Sequence, residues 1–281
     1  MVIPSSIKSR LKPSRNQIKI IITLLIYTIL ICVLWNQKSL SWILWPFKIM
    51  TVALHELSHA LMAICTKASV KKIVINPNQG GQTVYAGGNP YLIIPSGYIG
   101  STLFGSLLIF CGFNQNTSKV ASLIIMLCMG CTLFYSTGVF TFVFTIAVII
   151  VVMMLLYIKK INIIQYFVLF IGIMSGLYSL WDIIEDLIKR RIESSDASRF
   201  ANLPGMKWLS PELWGIIWLL FSIFTVFMSV IMALFIFNNN ERRENEYQEE
   251  EYWELLPTFN SSTSNININN SNDDNFGFGV I

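Results

Sequence analysis

Val120 to Ile158 is a run of 39 residues without one charged side chain. About 20 apolar residues suffice to cross a bilayer once, so a run this long predicts two spans. The division is expected near Tyr135-Ser-Thr-Gly138, where polar and turn-forming residues cluster. Further apolar stretches occur at Ile18 to Trp35, Ser41 to Cys65, Tyr91 to Phe113, Ile163 to Asp186 and Leu213 to Phe237. The chain therefore reads as an all-α polytopic membrane protein of six to seven transmembrane helices. Composition agrees: charged residues make up 13%, against about 25% in a soluble globular chain.

The charges that remain are unevenly placed. From Asn238 onward there are nine acidic and two basic residues, whereas the body before it carries 18 basic and seven acidic ones. Three regions follow. Residues 1–17 are a basic segment (Lys8, Arg10, Lys12, Arg15), expected in the cytosol by the positive-inside rule. Residues 18–237 form the multi-span body, and residues 238–281 are an acidic, Asn/Ser-rich tail whose composition predicts disorder. The first apolar run is too long for a signal-peptide core and lacks a small-residue cleavage site, so it is read as a retained span. The basic residues of the body lie in loops between apolar runs, where they set topology and do not form a nucleic-acid patch. Lys67, Lys71 and Lys72, and later Lys189 to Arg199, mark cytosolic loops. With seven spans the tail falls outside the cytosol. Cys128-Met-Gly-Cys131 has no second pair and lies in an apolar span, and the five cysteines suggest no disulfide framework.

Between the second and third apolar stretches lies a polar, turn-rich segment. Val70 to Ile75 and Gln82 to Tyr85, separated by Asn-Pro-Asn-Gln-Gly-Gly, predict a small β-hairpin after the second helix. Any strand edge at membrane depth needs a protein partner. In the third stretch Gly97, Ser101 and Gly105 recur every four residues, a small-residue stripe that lets another helix approach closely.

The only two histidines are His55 and His59, with Glu56 directly after the first. Residues i and i+4 share one helix face, so both imidazoles can meet one metal ion. Glu56 points about 100° away, where it can hold a water. Ionisable groups in so apolar a stretch are costly unless they work. A catalytic zinc takes three protein ligands and leaves a position open. No third histidine exists, and Asp182, Glu185, Asp186, Glu193, Asp196 and Glu212 are the carboxylates left before the tail. Helix rise from the flanking lysines puts Asp182 in the same membrane layer as His59, which favours Asp182 as third ligand. Asp186 lies nearer the water, and Asp196, in a loop, reaches the site only by folding back. These two remain the alternates.

A His-Glu-x-x-His in an apolar span, followed by a hairpin and a Gly-rich span, resembles the site-2 protease class of intramembrane zinc metallopeptidases. It is most similar to the small B-like subgroup. The carrying residues are Gly80-Gly81-Gln82-Thr83, Pro95-Ser96-Gly97-Tyr98-Ile99-Gly100-Ser101, Trp181 to Leu187 and Ser195-Asp196-Ala197. The Asn-Pro-Asp-Gly or Leu-Asp-Gly motif that supplies the third ligand in larger members is absent. The resemblance implies a zinc endopeptidase with Glu56 as general base, acting on a transmembrane protein substrate within the lipid bilayer. A catalytically silent relative, serving as a membrane chaperone or trafficking factor, is the alternative. An intact Glu56 favours the enzyme, and the scarcity of charge in the other spans disfavours an ion transporter.

Overall fold

A computed structural model describes residues 13–37, 39–158, 162–182 and 195–263, the last of these by backbone alone beyond residue 238. The chain divides after Asn238 into two units, and the first contains everything that follows. Its elements are α1 (Arg15–Asn36), α2 (Ser41–Cys65), β1 (Ser69–Ile75), β2 (Gly81–Ala86), α3 (Pro90–Ile93), α4 (Ser96–Gly112), α5 (Gln115–Phe134), α6 (Val139–Tyr157), α7 (Ile163–Gly176), α8 (Tyr178–Asp182) and α9 (Asp196–Ala201). The last helix, α10 (Pro211–Thr263), begins in this unit. Its helical backbone extends past Asn238 to Thr263, within the stretch whose composition predicts disorder. Residues 264–281 and 1–12 lie outside the described residues.

Among the described residues, five helices are long and apolar enough to cross a membrane: α1, α3 with α4, α5, α6 and the first part of α10. The second and sixth apolar stretches do not reach that measure, for different reasons. α2 is long enough, but it carries Lys48, His55, Glu56, Ser58 and His59, all buried inside the bundle. α7 has 14 residues, about 21 Å of helix, and its regular turns stop at Leu177 before a separate short helix begins. The long uncharged run divides at Tyr135 to Gly138, between α5 and α6.

Small residues set the spacing of the bundle. A Cβ on Gly105 would lie 2.3 Å from the backbone nitrogen of Gly176 and 2.7 Å from Gly172 O. α4 and α7 therefore touch backbone to backbone, as a small-residue stripe permits. Ser175 Oγ donates to Ser101 O at 2.8 Å across the same contact. Hydroxyls also hold α10 to α4, through Thr102 with Ser222 and Ser229 with the Ser106 carbonyl. At the start of α1, Ser14 and Gln17 form a reciprocal capping box, and Gln17 Nε2 donates to Leu234 O of α10. These donors thus find partners where water is excluded.

The hairpin lies along α2. Trp45 Nε1 donates to Pro77 O at its tip, and Thr83 Oγ1 lies 2.8 Å from Glu56 O further along. β1 and β2 pair antiparallel with a bulge between Val70 and Lys72. The outer edge of β1 is closed by the break between α5 and α6: Ile73 N donates to Tyr135 O at 2.8 Å, and Ile75 N to Thr141 Oγ1 at 2.9 Å. The outer edge of β2 has no strand partner among the described residues.

Candidate metal centre

His55 and His59 project from adjacent turns of α2 and are almost fully buried, 5% and 6% exposed. His59 Nδ1 donates to Ile93 O at 2.7 Å, which leaves the Nε2 lone pair free to bind. His59 Nε2 lies 3.1 Å from His55 Nε2. Asp196 Oδ2 joins them, 3.0 Å from His55 Nε2 and 2.8 Å from His59 Nε2. Three atoms with lone pairs thus converge on one point, and a single shared proton cannot satisfy all three. A tetrahedral zinc with ligands at 2.0–2.2 Å separates them by about 3.3–3.6 Å. The donor set, two imidazoles and a carboxylate, fits a zinc-like divalent cation in chemistry, and its atoms stand a few tenths of an ångström closer together than that spacing.

Asp196 reaches the centre from the other end of the chain because α9 is fixed against the bundle. Ser195 caps that helix, its Oγ accepting from Ser198 N. Phe200 packs edge-on to Trp214 and Trp218, and Trp218 stacks on Tyr98 with ring centroids 4.8 Å apart. Tyr98 in turn meets the His55 ring edge-on at 5.3 Å. One aromatic chain therefore runs from the helix that bears Asp196 to the imidazole it faces. Burial alone would raise the Asp196 carboxyl's pKa, but a proton on His59 and hydrogen bonding with the two imidazoles hold it below the usual carboxylate range, and a cation in that proton's place acts in the same direction. The group is an anion, as a metal ligand must be.

Glu56 turns away from the three ligand atoms toward the hairpin. Thr83 Oγ1 lies 2.7 Å from Glu56 Oε2 and 2.8 Å from Glu56 O, positioned to donate to either. Gly81 and Gly97 leave the room these side chains occupy. A Cβ on Gly81 would lie 2.5 Å from Glu56 Oε1, and one on Gly97 would lie 2.4 Å from His59 Nε2. Of the stripe residues, Gly97 therefore faces the imidazoles, Gly105 faces α7, and Ser101 bridges the two, donating to Gly97 O and accepting from Ser175.

The described residues that gather at the centre are His55, His59 and Asp196. Asp182 ends α8, and its side chain lies outside the described residues, as does all of Asp186. The sequence reading did not single out the Ile93 carbonyl or Tyr178, whose ring stands 4.9 Å from His55. No periodic or motif signal marks either, since both act through backbone placement and packing.

The centre opens into a cleft of about 600 Å³ lined by Glu56, His59, Asp196, Arg199, Asn76 and the consecutive residues Gly81 to Tyr85. Successive strand residues point to opposite faces. Five in a row on one wall mean that the cleft borders the edge of β2 and not a face. Neither a curated protein nor a solved structure matches the chain. A family model described as Peptidase M50B-like matches residues 24–229. That match covers well over half of the chain and takes in His55, Glu56, His59 and Asp196 together, so the chain belongs to the Peptidase M50B-like family.

Proposed function

We propose that the protein is an intramembrane zinc-dependent endopeptidase that hydrolyses a peptide bond of a membrane-anchored protein. The observation that carries this reading is the convergence of His55 Nε2, His59 Nε2 and Asp196 Oδ2 beside Glu56, at the head of a cleft bounded by an open strand edge. His55, His59 and Asp196 would hold the ion. When bound, zinc polarises a carbonyl and lowers the pKa of water towards 7. Glu56 takes the water proton as that water adds to the scissile carbonyl, and returns it to the departing amine. Thr83 Oγ1, placed to donate to Glu56 Oε2, leaves Oε1 as the oxygen free for the proton.

A helical transmembrane substrate presents no accessible amide, because its peptide groups are already hydrogen-bonded. The free edge of β2 offers the alternative. An unwound segment paired along Gly81 to Tyr85 satisfies its own backbone and lies alongside Glu56 and His59. The experiment is metal analysis of the purified protein with a cell-based cleavage assay. Wild type is expected to retain equimolar zinc and Asp196→Ala to lose it. Glu56→Gln should keep zinc and lose cleavage. Undiminished cleavage in Glu56→Gln would end the peptidase reading.

A further inference from the structure

α9 presents a second charged group to the cleft one turn after Asp196. Arg199 Nη1 stands 3.9 Å from Asp196 Oδ1, the oxygen not turned to the imidazoles. That is an ion-pair distance and too long for a hydrogen bond. The Arg199 side chain is half exposed and lines the same cleft as Glu56 and His59. Its guanidinium has five N–H donors, and the Asp196 contact engages none of them in a hydrogen bond. Among the described residues that line the cleft, Arg199 is the one arginine or lysine, and Glu56 and Asp196 are the carboxylates.

Hydrolysis creates the negative charge that this cation lacks a close partner for. As water adds to the scissile carbonyl, a carbon–oxygen bond forms, the π pair moves to the carbonyl oxygen, and the water proton passes to Glu56. Collapse then returns the pair, breaks the carbon–nitrogen bond and transfers the proton from Glu56 to the amine. We propose that Arg199 is a catalytic residue whose guanidinium donates to the oxyanion developing at the scissile carbonyl. The inference rests on the peptidase reading above and assigns a further residue to that reaction. Donors aimed at charge that appears only in the transition state raise the rate without tightening ground-state binding.

The test uses the full-length, zinc-loaded protein in detergent, as wild type, Arg199→Gln and Arg199→Lys. The probe is a phosphinic pseudodipeptide with alanine side chains, a tetrahedral anion without any acidic side chain. Zinc affinity is measured in parallel by competition with a chelator. Arg199→Gln is expected to hold zinc as tightly as wild type and to bind the phosphinate roughly 10- to 100-fold more weakly, with Arg199→Lys in between. Equal phosphinate binding by wild type and Arg199→Gln would overturn the proposal. So would a loss of zinc affinity in Arg199→Gln that accounts for the weaker probe binding, since Arg199 would then act only by orienting Asp196. A wild-type protein that takes up no zinc would instead overturn the peptidase reading itself, a failure seen before any variant is compared.

Discussion

A methyl group on Gly97 would lie 2.4 Å from His59 Nε2 and 2.6 Å from His55 Nε2, nearer than unbonded atoms approach. It would crowd the Nε2 atoms of both imidazoles. Gly97→Ala is therefore expected to weaken zinc binding at least tenfold while leaving far-UV circular dichroism unchanged, measured by competition with a chelator. Gly81→Ala displaces a different group. Its Cβ would lie 2.5 Å from Glu56 Oε1, so zinc should be retained while turnover falls roughly 100-fold, the order of loss that follows a misplacement of about 1 Å. Comparing zinc content with the cleavage rate separates the two effects. His55, Glu56 and His59 were legible from spacing alone, because i and i+4 fix two imidazoles on one helix face. The third member was narrowed only to Asp182, with Asp186 and Asp196 as alternates, and of these Asp196 is the one whose described side chain stands at the cluster. Helix rise from Lys189 sets the depth of Asp182 only along an unbroken helix, and regular turns from Ile163 stop at Gly176 and Leu177. The recruitment of Asp196 depends on Phe200, Trp218 and Tyr98 packing together, and no local pattern reports such a contact between distant segments.

At the scale of elements, the division of the long uncharged run and the hairpin beside α2 belong to one arrangement. The break at Tyr135 to Gly138 brings a free carbonyl and, just beyond it, Thr141 to the outer edge of β1. Sequence reading located the break from its turn residues and required that the hairpin edge be covered. It did not reveal that the first covers the second, because strand pairing to a helix terminus leaves no periodic trace. Thr141→Val keeps the shape of the side chain and removes the acceptor of Ile75 N in a buried position. It should destabilise the protein by about 1–3 kcal/mol, read as a lower denaturation midpoint in detergent. The contact between α4 and α7 has less tolerance still. At Gly105 the obstacle to any side chain is the backbone of Gly172 and Gly176, which cannot rotate away. Gly105→Leu should therefore cost more than Thr141→Val in the same unfolding measurement.

For the molecule as a whole, the centre joins two points 137 residues apart, His59 on α2 and Asp196 on α9. Everything between them, from the hairpin through α7, lies in the loop that those ligands close. An ion bound there stabilises only the folded chain, since the unfolded chain does not hold the three ligands together. The gain follows RT ln(1 + [L]/Kd), about 2.7 kcal/mol at a hundredfold excess over Kd. For a domain of this size that corresponds to a rise in melting temperature of roughly 5–10 °C. Stripping the metal with a chelator should lower the melting temperature by that amount, and zinc should restore it. His59→Ala should show no response to either treatment. Trp218→Ala tests whether the aromatic chain, and not the loop itself, delivers Asp196. All three ligands remain, but α9 loses the ring on which Phe200 and Tyr98 pack. The zinc-dependent shift should shrink while His55 and His59 stay on their helix. A full-sized shift in Trp218→Ala would mean that α9 holds its position without the aromatic cluster.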